Sequence, residues 1–260
     1  MNLNLTGKTA LVCGSTQGLG YASAVELALL GCNVVLFARN EESLKKALAS
    51  LPNNNQQHQY LVADFTDTAA VKTAIDAFVK NNTIHILVNN TGGPAGGPAL
   101  TAKPEDFLLA FNNHLINNHN LVQAVVPGMK AAGFGRIINI ISTSVKIPLA
   151  GLGVSNTIRG AVASWAKTLA TELGPFGITV NNVLPGFTKT GRADYVITKK
   201  AADTGKTEEA VMAELVAEIP AGRIGKPEEF GAVVAFLSSP VAAYVNGINL
   251  PVDGGRLGCL

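Results

Sequence analysis

The chain has 260 residues, is 47% apolar and only 15% charged, and carries a net charge of +2. That length suits one large α/β domain able to bury roughly three quarters of its unfolded surface without staples. The near-neutral charge, with no run of like charges, excludes an electrostatic footprint for nucleic acid, and the odd set Cys13, Cys32 and Cys259, with no CxxC spacing, excludes a disulfide framework and a zinc site.

The opening MNLNLTGKTALVCG has no basic start and no long apolar run before Lys8, so it does not read as a signal peptide. No stretch approaches the ~18 apolar residues of a membrane span. The expectation is a soluble cytoplasmic protein with no metal and no membrane partner. TALVCG reads as a buried strand ending at Gly14, and a helix follows from Leu19 to about Leu30, stopped by Gly31. NVVLFA is the second strand and EESLKKALASL the second helix. QYLVADF is the third strand, and DTAAVKTAIDAFVKN the third helix, with Asp67 as its N-cap. IHILVNN is the fourth strand. A Gly/Pro loop leads to a long helical region from Pro104 to about Ala132, then to the strand GRIINIIS. Ser155 to Leu173 is helical, GITVNNVLPG is a sixth strand and NGINLPVDGG a short seventh. Strands that are continuous apolar runs, alternating with helices, predict an α/β fold. Right-handed crossovers then give a doubly wound, Rossmann-type parallel sheet of about seven strands with helices on both faces. Without repeat or linker, residues 1–260 read as a single dinucleotide-binding domain.

CGSTQGLG joins the first strand to the first helix. Gly14, Gly18 and Gly20 let the backbone turn tightly and approach a pyrophosphate, which the helix N-terminus favours. The spacing is not the general G-x-G-x-x-G, and three glycines alone can be only a turn. Arg39 ends the second strand, with no acid at Phe37 or Ala38. An arginine here accommodates a 2′-phosphate where an acid would hold a ribose hydroxyl, so NADP(H) is preferred over NAD(H). A solvated surface arginine is the plain alternative.

The glycine spacing resembles that of the short-chain dehydrogenase/reductase family, and further matches follow in order along nearly the whole chain. VADFTD resembles the family's Asp after the third strand, which would set Asp64 against the adenine. LVNNTGG resembles its Asn-Asn-x-Gly stretch, GRIINIIS its serine-bearing strand, LPGFTKT its Pro-Gly loop beside the nicotinamide, and INLPVDGG its C-terminal strand. The likeness implies a cofactor set of Gly14, Ser15, Thr16, Gly18, Leu19, Gly20, Arg39, Asp64, Phe65, Asn90, Gly92, Arg159, Pro185, Gly186 and Thr188. It also implies hydride transfer between nicotinamide and a small carbonyl or alcohol substrate, and a homo-oligomer, most simply a tetramer. Within the family the chain is similar to ketoacyl-carrier-protein reductases.

The same likeness exposes a departure. The family's Tyr is the proton donor. Its Lys, four residues on, lowers the pKa of the Tyr and binds the nicotinamide ribose. Its Ser, thirteen residues before the Tyr, bonds the substrate oxygen, and an Asn on an earlier helix holds a water. Ser142 fits the Ser position, but Ser155 stands where the Tyr should be and Arg159 where the Lys should be. Counting back from Pro127 puts His114 at the Asn position, with Asn112 and Asn113 beside it. A Tyr hydroxyl starts near pKa ~10 and can be tuned toward neutrality. A Ser hydroxyl starts several units higher, and Arg cannot shuttle a proton. His114, with an ordinary pKa near ~6.5, is the candidate replacement, or is simply held by neighbouring asparagines. Ser155 and Arg159 could likewise be no more than a helix cap and a solvated cation. Lys146 and Tyr195 lie on segments that could border the cleft, and residues 187–223 would form a substrate lid. The expectation is an NADP(H)-dependent oxidoreductase with an altered catalytic set of Ser142, Ser155, Arg159 and His114. The alternatives are a non-catalytic NADP(H)-binding or ligand-sensing protein and a purely structural subunit. The intact glycine loop and Arg39 count against the last.

Overall fold

The structure, a computed structural model, describes residues 1–259. Its strands are β1 (Thr9–Cys13), β2 (Asn33–Ala38), β3 (Gln59–Val62), β4 (Ile86–Asn89), β5 (Gly135–Ile140), β6 (Ile178–Pro185) and β7 (Asn249–Val252). They form one parallel sheet in the order β3-β2-β1-β4-β5-β6-β7. The order reverses between β1 and β4, which opens a crevice at the carboxyl ends of those strands, where such sheets bind ligands. The doubly wound sheet expected from the sequence is therefore present.

Both faces are covered. On one, α1 (Gly18–Leu29), α2 (Glu41–Ala49) and α9 (Pro227–Ser238) bury Leu27, Leu44, Phe230 and Val234 against Ala10, Val12, Val34 and Leu36. On the other, α3 (Thr68–Val79), α5 (Asn117–Ala132) and α6 (Gly153–Leu173) bury Val71, Ile75, Leu121 and Ala166 against Leu11, Val35, Leu87 and Ile137. Alternate residues of each strand thus feed opposite cores. Asp67 caps α3 as expected, its carboxylate accepting from the amides of Ala69 and Ala70 at 3.0 and 2.9 Å.

The elements differ from the sequence reading at several points. The third strand stops at Val62, so Asp64 and Phe65 lie in the loop beyond it. The region from Pro104 is α4 (Pro104–Phe111), then a π turn over Asn112–Ile116, then α5. Helix α6 begins at Gly153, two residues before Ser155. Helix α9 was not among the expected elements. It fits closely on α1: a Cβ at Gly231 would sit 2.7 Å from the Ala22 carbonyl oxygen.

The four strands beyond the crevice carry a row of asparagines. Asn89 Nδ2 donates to Asn139 Oδ1 at 2.8 Å, Asn139 Nδ2 to Asn182 Oδ1 at 2.9 Å, and Asn182 Nδ2 to Asn249 Oδ1 at 2.8 Å. These residues are register partners across β4, β5, β6 and β7. Among the described residues no helix is long and apolar enough to cross a membrane.

Candidate active site

The glycine loop lies at the end of β1. Gly14 and Gly18 take φ of +57° and +59°, the left-handed region that glycine enters freely. A Cβ at Gly20 would stand 2.3 Å from the Gly14 oxygen and 2.7 Å from Asn90 Nδ2, so only glycine fits there. Asn90 ties the loop to β4 by donating Nδ2 to the carbonyls of Cys13 and Gly14, each at 3.2 Å. Gln17, ahead of α1, makes no side-chain cap bond, which leaves the first-turn amides for another acceptor. Thr16 and Leu19 are half-buried beside them, and Gly92 faces open space. Ser15 faces the other way: it is fully buried and its Oγ accepts from the Phe37 amide at 2.9 Å, holding the loop to β2.

At the rim, the Arg39 side chain is 75% exposed and lies 4.0 Å from Asp64 Oδ2. Asp64 is held at its other oxygen by the Thr66 amide at 2.9 Å. The Thr66 hydrogen bonds, and after them the Arg39 charge, keep its carboxyl below the ordinary range. Phe65 sets its ring edge-on to Phe37, 5.1 Å between centroids, and its carbonyl accepts from Asn117 Nδ2 at 2.7 Å. On the far side, Gly186 donates to the Val252 carbonyl at 2.9 Å, and Thr188 Oγ1 donates to the Gly186 carbonyl at 3.3 Å beside Pro185. The segment 187–223, which holds α7 (Gly191–Thr204) and α8 (Glu208–Ala217), is anchored at its base. There Lys189 donates to Gly225, and Gly225 to Phe187, both at 2.9 Å. Thr190 Cγ2 comes within 3.7 Å of where a Cβ at Gly18 would be, so that base touches the glycine loop. Lys146 is exposed, and Tyr195 is exposed with the Arg192 guanidinium 5.6 Å from its ring.

Ser142 follows β5, and its Oγ accepts from the Ser144 amide at 3.0 Å. Ser155 stands half-buried in the first turn of α6, inside the helix rather than at its cap. Arg159, one turn further on, is buried, not solvated. Its Nη1 donates to the Ile140 carbonyl at 3.2 Å, its Nη2 lies 4.0 Å from a Cβ position at Gly93, and its Nε is buried with no partner. The guanidinium therefore sits between the ends of β4 and β5. Burial pulls its pKa down to about 10, so it stays charged at neutral pH.

His114 lies in the π turn, and its ring Nδ1 is 2.6 Å from Thr91 Oγ1. Its partner is this threonine, not a neighbouring asparagine. Burial first, and the Arg159 charge second, push its pKa down to about 3. This corrects the reading of His114 as a replacement acid: at neutral pH the ring has no proton of that kind to give. Thr91 and Gly93 were missed as site residues; both stand in the same NNTGG stretch that supplied Asn90 and Gly92. Among the described residues no cluster of three or more His, Cys, Asp or Glu could hold a metal.

A family model described as enoyl-(acyl carrier protein) reductase matches residues 14–256. The chain is 34% identical over 254 residues to the 3-oxoacyl-(acyl-carrier-protein) reductase of Pseudomonas aeruginosa, covering 97% of this chain and 98% of that one. Its structure is similar to that of L-sorbose reductase from Gluconobacter frateurii complexed with NADPH and L-sorbose, with TM-score 0.94, 29% identity and all of both chains covered. It is also similar to a gluconate 5-dehydrogenase from Burkholderia cenocepacia in complex with NADP and tartrate, with TM-score 0.88 and 30% identity, covering 100% of this chain and 98% of that one.

The depressed His114 pKa fixes a pH dependence. Between its ordinary 6.5 and the folded value of about 3, the unfolded chain takes up a proton that the folded one refuses. Stability held above pH 6.5 is therefore lost as pH falls toward 3, by about 2 kcal/mol between pH 7 and pH 5. Urea unfolding of wild type and His114→Asn at those two pH values should show that much less loss in the variant. Equal losses would mean that the ring is not held neutral.

Proposed function

Because the chain belongs to the short-chain dehydrogenase/reductase family, we propose that it is an NADP(H)-dependent oxidoreductase acting on a small carbonyl or alcohol substrate through an altered catalytic set. The observation that carries this reading is Arg159, a buried cation with an unpartnered Nε at the mouth of β4 and β5. A cradle for the rest of the dinucleotide supports it: the Gly14–Gly20 loop, the uncapped start of α1, and Arg39 exposed at the rim.

The residues present fit the cofactor. The α1 amides would take the pyrophosphate, Arg39 the 2′-phosphate, Asp64 and Phe65 the adenine, and Arg159 the nicotinamide ribose. When bound, the cofactor supplies or accepts a hydride at its nicotinamide. Ser142 would donate to the substrate oxygen, and Arg159 would stabilise negative charge developing there. Ser155 can add a hydrogen bond but is a poor acid, and His114 orients Thr91 rather than moving a proton. Residues 187–223 would close over the substrate, which makes 1–260 one cofactor domain with its own lid. A second reading, an NADP(H) binder without turnover, is favoured by the neutral His114 ring. Decay of NADPH fluorescence on adding a panel of carbonyl compounds separates the two.

Arg39→Ala should weaken NADPH binding by roughly tenfold or more, the worth of a charge-assisted hydrogen bond, and leave NADH unchanged. Calorimetry with both cofactors measures this, and equal losses for the two would refute the 2′-phosphate contact. Ser155→Tyr combined with Arg159→Lys should raise NADPH-dependent reduction of a reactive diketone by about tenfold or more, since a positioned acid typically contributes at least that. A double variant that binds NADPH normally yet turns over no faster than wild type would show that proton donation is not what the altered set lacks. The homo-tetramer belongs to the same proposal, motivated by the low charged fraction and by exposed Leu108, Leu109, Val241 and Tyr244. Light scattering at micromolar concentration should give four chains, and a monomer mass would end the idea.

A further inference from the structure

Two arginines of this chain are buried, and they are treated differently. Arg136 is 2% exposed and well satisfied. Its Nε donates to Ser239, its Nη1 donates to Gly135 and Gly177, and its guanidinium lies 4.3 Å from the Phe134 ring centre. That is how this fold settles a structural arginine. Arg159, 8% exposed, makes one bond among the described residues and keeps a buried Nε without a partner. No carboxylate lies within ion-pair distance of it among the described residues, although eight ion pairs form elsewhere. The groups close to it are Gly93, the Ile140 carbonyl and His114, and none is anionic. Ser155, one turn away, does not ionise.

A buried charge without a counter-charge is costly, so its partner is to be sought in the ligand. Ribose hydroxyls can satisfy the free donors, but they do not neutralise the cation. The nicotinamide ring changes its own charge in the reaction. It is neutral when reduced and cationic when oxidised. In a tyrosine–lysine site the phenol can ionise and offset the lysine. Here the serine cannot ionise and the arginine cannot lose its proton near neutrality. Two like charges in a site closed from water repel strongly.

We propose that Arg159 makes the site select the redox state of its cofactor, accepting the neutral dihydronicotinamide and disfavouring the nicotinamide cation. The inference rests on the NADP(H)-binding reading above. Its consequence is directional: the chain is loaded by NADPH, and NADP+ leaves readily once formed. Bound NADPH would supply the hydride to the carbonyl carbon and a water molecule the proton to its oxygen, leaving hydroxide, after which NADP+ and the alcohol would depart.

The test is binding alone, on the full chain without substrate. Calorimetric titration of wild type should give a Kd for NADP+ about tenfold or more above that for NADPH at low ionic strength. Arg159→Lys, which keeps the charge, should hold that ratio, while Arg159→Gln should bring the two within roughly threefold. Should the glutamine variant fail to fold, Ser155→Asp places a carboxylate one helical turn from Arg159 and should narrow the ratio by favouring NADP+. Equal wild-type affinities, or an unchanged ratio in whichever neutralised variant folds, would overturn the assignment while leaving the reductase reading standing. Binding of neither form to wild type would overturn both.

Discussion

Two consecutive side chains, Asn89 and Asn90, hold the crevice in place, and the rest of the site is hung from them. Asn89 starts the amide row that runs through Asn139 and Asn182 to Asn249 and fixes the register of β4 to β7. Asn90 turns to the other side and binds the last carbonyls of β1. Each of these buried amide bonds contributes about 1 kcal/mol net, and each broken one exposes a partner whose desolvation costs about 1–3 kcal/mol. The ends of β1, β4 and β5 therefore stay fixed relative to each other, and with them Gly14, Gly93 and the carbonyl that receives Arg159.

That rigidity explains why the loops on either side can be shaped by contact rather than by their own propensity. Gly20 fits against Gly14 because Asn90 has already set where that carbonyl lies. Gly186 crosses β7 so closely that a Cβ there would meet Asp253 Cα at 2.4 Å. Thr188 and Lys189 then tie to Gly225 and deliver Thr190 beside Gly18. The base of residues 187–223 is thus anchored beside the glycine loop.

The sheet and the glycine loop were legible in the sequence because their signals are local. A run such as NVVLFA is buried on both faces and can be little else, and it occupies β2 over the expected Asn33–Ala38. Asp67 caps the helix that its position announces. The losses have a common physical cause, contacts made far along the chain. Helix α9 has the apolar spacing Phe230, Val234 and Leu237, yet its weight in the fold comes from the close fit of Gly231 on α1, which no local pattern contains. The state of His114 depends on burial, on Thr91 twenty-three residues away and on Arg159 on another helix. Read by type, a histidine in a cleft is a proton carrier; in this surrounding it is a neutral hydrogen-bond partner.

Ser155, Arg159 and His114 also make sense together in a way that they do not singly. A lysine at residue 159 would be useful beside a phenol whose ionisation it assists. With Ser155 there is no phenol to assist, and a permanently charged guanidinium serves better to hold a ligand. Its field in turn keeps His114 deprotonated, after burial has done most of that work. The result is a set in which arginine stays charged, histidine stays neutral and serine stays a hydroxyl across the working pH range. None of the three can trade a proton there, so on the proposed reading rate enhancement would come from placing hydride donor and acceptor together, which can outweigh a lost acid. On the proposed reading, altered chemistry and cofactor selection would be two consequences of one buried charge.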